Sequence, residues 1–94
     1  MRGKTFIVVS YDIPDDRRRN RLCRTLKGFG HHVQYSVFEC LLDTQTLQCL
    51  QETVQNIIKP PEDHVRYYKL CEGCEQKIQA IGGTVTQEIR TIVV

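Results

Sequence analysis

Residues 5–16 read Thr5-Phe6-Ile7-Val8-Val9-Ser10-Tyr11-Asp12-Ile13-Pro14-Asp15-Asp16, and they set the architecture. The first seven are rich in β-branched and aromatic side chains, and their near-continuous apolar run suits a central strand of a sheet. Pro14 fits a first helical turn, where its missing N–H costs nothing, and acidic side chains there complement the helix dipole. Leu22, Leu26 and Phe29 recur at helical spacing and predict a helix over residues 14–28, with Gly28 and Gly30 as its stops.

Beyond that unit, residues 32–42 have strong strand character, either as one long strand or as two strands meeting near Tyr35-Ser36. Asp43 or Thr44 can cap a second helix, whose apolar stripe is Leu47, Leu50, Val54, Ile57 and Ile58 and which Lys59-Pro60-Pro61 brings to an end. Residues 64–70 form a further strand. Residues 71–83 are turn-rich, with a short helix around Glu75 to Ile81. The order β-α-β(β)-α-β predicts an α+β, ferredoxin-like βαββαβ sandwich with two helices on one face of an antiparallel sheet. The tail, residues 84–94, is strand-like and left over once that fold is complete. An unpaired strand invites a partner, and a second subunit's sheet edge is the natural one.

Ninety-four residues fit one domain with a thin core. No apolar run approaches a membrane span, and the start lacks the apolar stretch and cleavage site of a signal peptide, so a cytoplasmic protein is expected. The five cysteines are an odd number, and Cys23, Cys40 and Cys49 sit in apolar patterns, which suits reduced core residues better than a secreted disulfide framework. A net charge of +2 is too small to argue for nucleic acid by itself. Distribution argues better, because Arg17, Arg18, Arg19, Arg21 and Arg24 crowd into one stretch.

Asp12 follows the first strand directly. It reads as the N-cap of the first helix, with Asp15 as a weak capping-box partner, and a carboxylate with two oxygens can also bind a metal. Asp15 and Arg19, spaced i, i+4, suggest a self-paired helix face. Arg17, Arg21 and Arg24 form a separate stripe that carries no acid, the kind of surface a phosphodiester backbone meets.

Val8-Val9-Ser10-Tyr11-Asp12-Ile13-Pro14-Asp15-Asp16, followed by Arg19-Asn20-Arg21, resembles the first strand and helix of the Cas-two family of CRISPR-associated spacer-acquisition proteins. Val33-Gln34-Tyr35-Ser36-Val37-Phe38-Glu39 resembles that family's second signature, and Gly28-Phe29-Gly30 lies between the two at the family's spacing. Two separated signatures in the right order are far more specific than one. The resemblance implies a ferredoxin-like nuclease domain over residues 1–83, with residues 84–94 as a strand of the same domain that joins the partner's sheet in a homodimer. It implies an Asp12 from each subunit sharing a divalent cation, Mg2+ or another such as Mn2+, and metal-dependent endonuclease activity on RNA or DNA. It also implies a place beside the integrase subunit in spacer capture, where the alternative role is a non-catalytic DNA-binding scaffold. Tyr11, Arg19, Arg21, Ser36 and Phe38 match positions treated as functional in the family.

On this reading Asp12, Tyr11 and Ser36 are the catalytic candidates, and Arg17, Arg19, Arg21, Arg24 and Phe38 the nucleic-acid-binding ones. Magnesium prefers oxygen ligands and keeps several waters, so one carboxylate from each of two subunits supplies two hard ligands from one residue type. Tyr11 or Phe38 can stack on a base or line the pocket, and Ser36 can bond a phosphate oxygen or simply form a turn. His32 stands where relatives often have Arg, and an imidazole is a poorer phosphate partner. Lys27-Gly28-Phe29-Gly30 matches the start of an RNA-recognition motif, but His31-His32 break the match and a glycine helix stop explains it better. Cys71-Glu72-Gly73-Cys74 is a lone C-x-x-C, read as a turn with spare thiols because a structural zinc site needs a second pair. His31 and His32 read as solvent-exposed loop histidines.

Overall fold

The computed structural model describes residues 3–82 together with the backbone of Ile92 and Val93. The first strand, β1, runs Lys4–Asp12 and alternates as a strand must. Ile7, Val9 and Tyr11 are buried on one face, while Val8, Ser10 and Asp12 belong to the other. It pairs antiparallel on one side with β3 (Val37–Asp43) and on the other with β4 (His64–Leu70). The near-continuous apolar run is therefore a central strand. With β2 (Gly30–Gln34) outside β3, the sheet order is β2-β3-β1-β4. Helix α1 (Asp16–Lys27) carries the chain from β1 past β3 to β2, and α2 (Thr44–Gln55) carries it from β3 past β1 to β4. This is the expected ferredoxin-like βαββαβ arrangement.

Both helices cover the same sheet face. Leu22 and Leu26 of α1 and Leu47, Leu50 and Val54 of α2 join Ile7, Val9, Tyr11, Phe38, Cys40 and Leu42 in one core. The opposite face stays half open: Val8, Val37 and Leu41 are partly buried, and Tyr68 and Val33 are exposed. Phe6 is the exception on that side, buried beside Leu70 and Cys71.

Several local details settle or correct the sequence reading. Residues 32–42 are two strands that turn at Tyr35-Ser36, with an irregular register between His32 and Gln34. Helix α1 begins at Asp16, and its N-cap is Asp15, not Asp12. The Asp15 carboxylate accepts the Arg18 N–H at 2.9 Å, so Pro14 lies just before the helix. Asp43 caps α2 by accepting the Thr46 N–H at 2.7 Å. That helix ends at Gln55, yet Ile57 still packs in the core through the following turn, its N–H bonded to the Val54 carbonyl at 2.9 Å. Gly30 is needed for more than stopping a helix, since a Cβ there would lie 2.4 Å from the Glu39 carbonyl of the adjacent strand.

The short helix α3 is Glu72–Glu75, earlier than expected, and Gln79–Ala80 form strand β5. Strand β6, Ile92–Val93, pairs in parallel with β5. The proposed exchange of the tail with a partner otherwise falls on residues outside those described. Among the described residues no helix is long and apolar enough to cross a membrane.

Candidate metal and nucleic-acid site

Asp12 is the last residue of β1, where the alternation turns its side chain to the open face of the sheet. It is exposed, and among the described residues nothing hydrogen-bonds or ion-pairs with its carboxylate. The β1–β4 register sets it opposite His64, a position from which directly paired side chains stand about 5 Å apart at Cβ. Two residues along β1 is Ser10, opposite Arg66, whose guanidinium Nη1 donates to the Tyr68 hydroxyl at 3.4 Å. His64 was not foreseen as a neighbour of Asp12. They lie fifty-two positions apart, and only the pairing register joins them.

Ser36 is brought to the same end of the sheet. Its carbonyl accepts the Tyr11 N–H at 3.1 Å, extending the β1–β3 ladder by one bond. Tyr11 itself points the other way. It is buried in the core, stacked with Phe38 at 6.3 Å. Burial first, and then the nearby Cys23 thiol, push its phenol up to about 12. Such a group keeps its proton at neutral pH, and it points away from a substrate on the open face. Phe38 is likewise fully buried, so it packs the core and does not stack on a base. His32 lies flat on Phe38, with ring centroids 4.6 Å apart and planes 8° apart, and bonds the Tyr35 carbonyl through Nε2. It is therefore a β2 residue whose ring braces the β2–β3 turn. The aromatic that is free at this end is Tyr35, 88% exposed at the tip of that turn.

The arginines divide into two groups. Arg19 is committed to the loop behind Asp12: its Nη1 donates to the Ile13 carbonyl at 2.9 Å, and Nη2 pairs with Asp16 rather than with Asp15. It positions that loop and has little left for a phosphate. Arg18, which the sequence reading left without a role, donates through Nε to Asp63 at 2.7 Å and through Nη2 to Glu62 at 3.1 Å. The Asp63 side chain is wholly buried and also accepts the Lys59 N–H at 2.8 Å. That cluster ties α1 to the turn before β4, and the Arg18 hydrogen bond, followed by the Lys59 N–H, holds the Asp63 carboxyl below its usual range.

Arg17, Arg21 and Arg24 remain exposed and, with Arg18 and Asn20, line one shallow groove along α1. At about 100° per residue this stripe lies opposite the Leu22–Leu26 face that meets the sheet. The structure thus gathers Asp12 and Ser36 at one end of the sheet. It does not gather the three free arginines with them, because they lie on the outer surface of the helix layer while Asp12 faces away from that layer.

Among the described residues, one chain supplies one unengaged hard carboxylate here. Among the described residues no group of three or more His, Cys, Asp or Glu could hold a metal ion. A cation that keeps most of its waters tolerates so sparse a donor set, and a second copy of Asp12 would complete it. In that sense the residues fit a magnesium-like ion shared between two chains.

Residues 5–78 match the family model described as CRISPR associated protein Cas2. The chain is 45% identical over 85 residues to a protein of Chloroflexus aurantiacus named CRISPR-associated endoribonuclease Cas2 3, a match covering 88% of this chain and 91% of that one. It is 36% identical over 90 residues to the CRISPR-associated endonuclease Cas2 2 of Thermus thermophilus, covering 96% of each. Among solved structures, a chain of a partial Cas6-RT-Cas1–Cas2 complex superposes with a TM-score of 0.71 at 25% identity, covering 94% of this chain and 96% of that one.

Proposed function

This chain belongs to the CRISPR-associated protein Cas2 family, and from that premise we propose that it is an endonuclease acting on phosphodiester bonds of RNA or DNA and a component of the spacer-acquisition complex. The observation that carries the nuclease half is the exposed, unengaged Asp12 carboxylate at the end of β1. Relatives named as endoribonuclease and endonuclease support the activity, and likeness to a Cas1–Cas2 complex chain supports an integrase partner.

In a homodimer, Asp12 of each protomer would hold a divalent cation between the two chains. The chemistry such an ion would supply is Lewis-acid polarisation of a phosphoryl oxygen and activation of water at neutral pH. The protein's own part is positional. Arg19 fixes the Ile13–Pro14 loop behind Asp12, the Ser36 carbonyl holds the end of β1 through the Tyr11 N–H, and Tyr35 would offer an exposed ring on which a base can stack. His64, opposite Asp12 in the β1–β4 register, would be the group to accept or return a proton at the leaving or attacking oxygen.

The test is cleavage of labelled RNA and DNA by wild type and Asp12→Ala, with Mg2+ or Mn2+ and with chelator. We expect loss of cleavage by at least about a hundredfold in the variant and in chelator, with the wild type sedimenting as a dimer. Cleavage undiminished by either treatment, or a monomeric active species, rejects the shared-metal centre.

A second reading, a non-catalytic DNA-binding scaffold, has its own support: the free arginines lie on the layer opposite Asp12, where they can track a backbone without presenting it to the carboxylate. On that reading Asp12→Ala leaves spacer capture intact, and Arg17→Ala with Arg21→Ala and Arg24→Ala abolishes it.

A further inference from the structure

Neither the metal site nor the arginine groove uses Cys71 and Cys74. We propose that these two residues form a redox-active dithiol that exchanges with small-molecule or protein disulfides to give an intramolecular Cys71–Cys74 disulfide. Three observations carry this. Both thiols are exposed, whereas Cys40 is buried in the core and Cys23 is half covered. The pair is already in contact: Cys71 caps the four-residue α3, and its sulfur accepts the Cys74 N–H at 3.4 Å. One helical turn separates their Cα atoms by roughly 5 Å, inside the span of about 4.4–6.8 Å that a disulfide bridges. Closing the bond therefore requires side-chain rotation and little backbone movement.

The two sulfurs are also unequal. Hydrogen bonds from the Cys74 backbone and thiol hold Cys71 below the ordinary thiol value, and the same contact raises Cys74. That is the division of labour a dithiol needs, one sulfur to attack and the other to resolve. The Cys71 thiolate attacks one sulfur of a disulfide RSSR and expels RS⁻, leaving a mixed disulfide on Cys71. The Cys74 sulfur, losing its proton, then attacks Cys71 Sγ and expels the second RS⁻. Two cysteine thiols are oxidised, one disulfide is reduced, and the two cysteine protons end on two molecules of RSH. Glu72 lies between the two cysteines and Glu75 follows them, so an uncharged or cationic disulfide is the preferred partner over an anionic one.

The experiment equilibrates the full native chain with increasing hydroxyethyl disulfide, a neutral oxidant, quenches with iodoacetamide, and maps each cysteine by mass spectrometry. Cys49, exposed and free, is the internal reference. We expect the Cys71–Cys74 peptide to lose two hydrogens in a single transition while Cys49 takes up a hydroxyethylthio group as a mixed disulfide. We also expect Cys74→Ser to accumulate the mixed disulfide at Cys71, with Cys71 alkylated roughly tenfold faster than Cys49 in the reduced protein. If both cysteines carry separate hydroxyethylthio groups, or stay alkylatable at every ratio, or cross-link between chains, the proposal is wrong. Because both side chains lie at the surface, these readouts do not depend on nuclease activity or on refolding.

Discussion

Two aromatic residues three positions apart have opposite fates. Phe38 sits within the family-like signature as an attractive base-stacking ring, but β3 alternation sends it inward between Tyr11 and His32, while Tyr35, in the turn, is bare. Phe38→Ala should therefore cost about 3–5 kcal/mol of stability in urea unfolding. Tyr35→Ala should change stability by less than about 0.5 kcal/mol and weaken single-strand binding by about 1–3 kcal/mol, read by filter binding. Equal losses of stability in the two variants would contradict this assignment. The same logic separates Asp12 from Tyr11. Adjacent residues on a strand face opposite ways, so only one of them can belong to a site on the open face. The motif named both; the pleat selected Asp12.

Among the elements, α1 carries two kinds of arginine that a sequence stripe cannot fully sort. Helical spacing marked Arg17, Arg21 and Arg24 as one acid-free face, and they do line one groove. It gave no sign that Arg18 would be taken up by Asp63, forty-five residues away, or that Arg19 would fold back on the Ile13 carbonyl. If the groove binds a polynucleotide backbone, replacing its three free arginines with Ala removes up to three phosphate contacts. The slope of log K against log salt should then fall by about 2 for single strands and nearly 3 for duplex. An unchanged slope would place the nucleic acid elsewhere. The caps teach a similar lesson. Asp12 and Asp15 are both plausible N-caps, and the choice fell to Asp15 because pairing of β1 with β4 extends through Asp12 itself and leaves only a three-residue loop.

Across the whole molecule, stability should fall at both ends of the pH scale for identifiable reasons. Burial lifts Tyr11 and Tyr67 to about 12, above the ordinary phenol value of 10.0. Their contribution is complete below about pH 10 and is lost as pH rises towards 12, because only the unfolded chain ionises readily in that window. Asp63 is depressed below 3.8, chiefly by Arg18, so its contribution is present above pH 3.8 and disappears as pH falls through the lowered value. Urea midpoints measured against pH should show Tyr67→Phe flattening the alkaline fall and Asp63→Asn flattening the acid one. Slopes parallel to wild type would show that these groups do not drive the loss. From the chain alone came the element order, the central place of β1, the apolar stripes of both helices and the basic stripe on α1, because all of these are written in local periodicity. What needed the folded molecule was the register that sets Asp12 opposite His64 and bonds Tyr11 to Ser36, the inward turn of Tyr11 and Phe38, the Arg18–Asp63 tie and the opposite placement of carboxylate and free arginines. Those depend on contacts between residues tens of positions apart, and on which face of a layer each side chain takes, which no periodicity within one segment encodes.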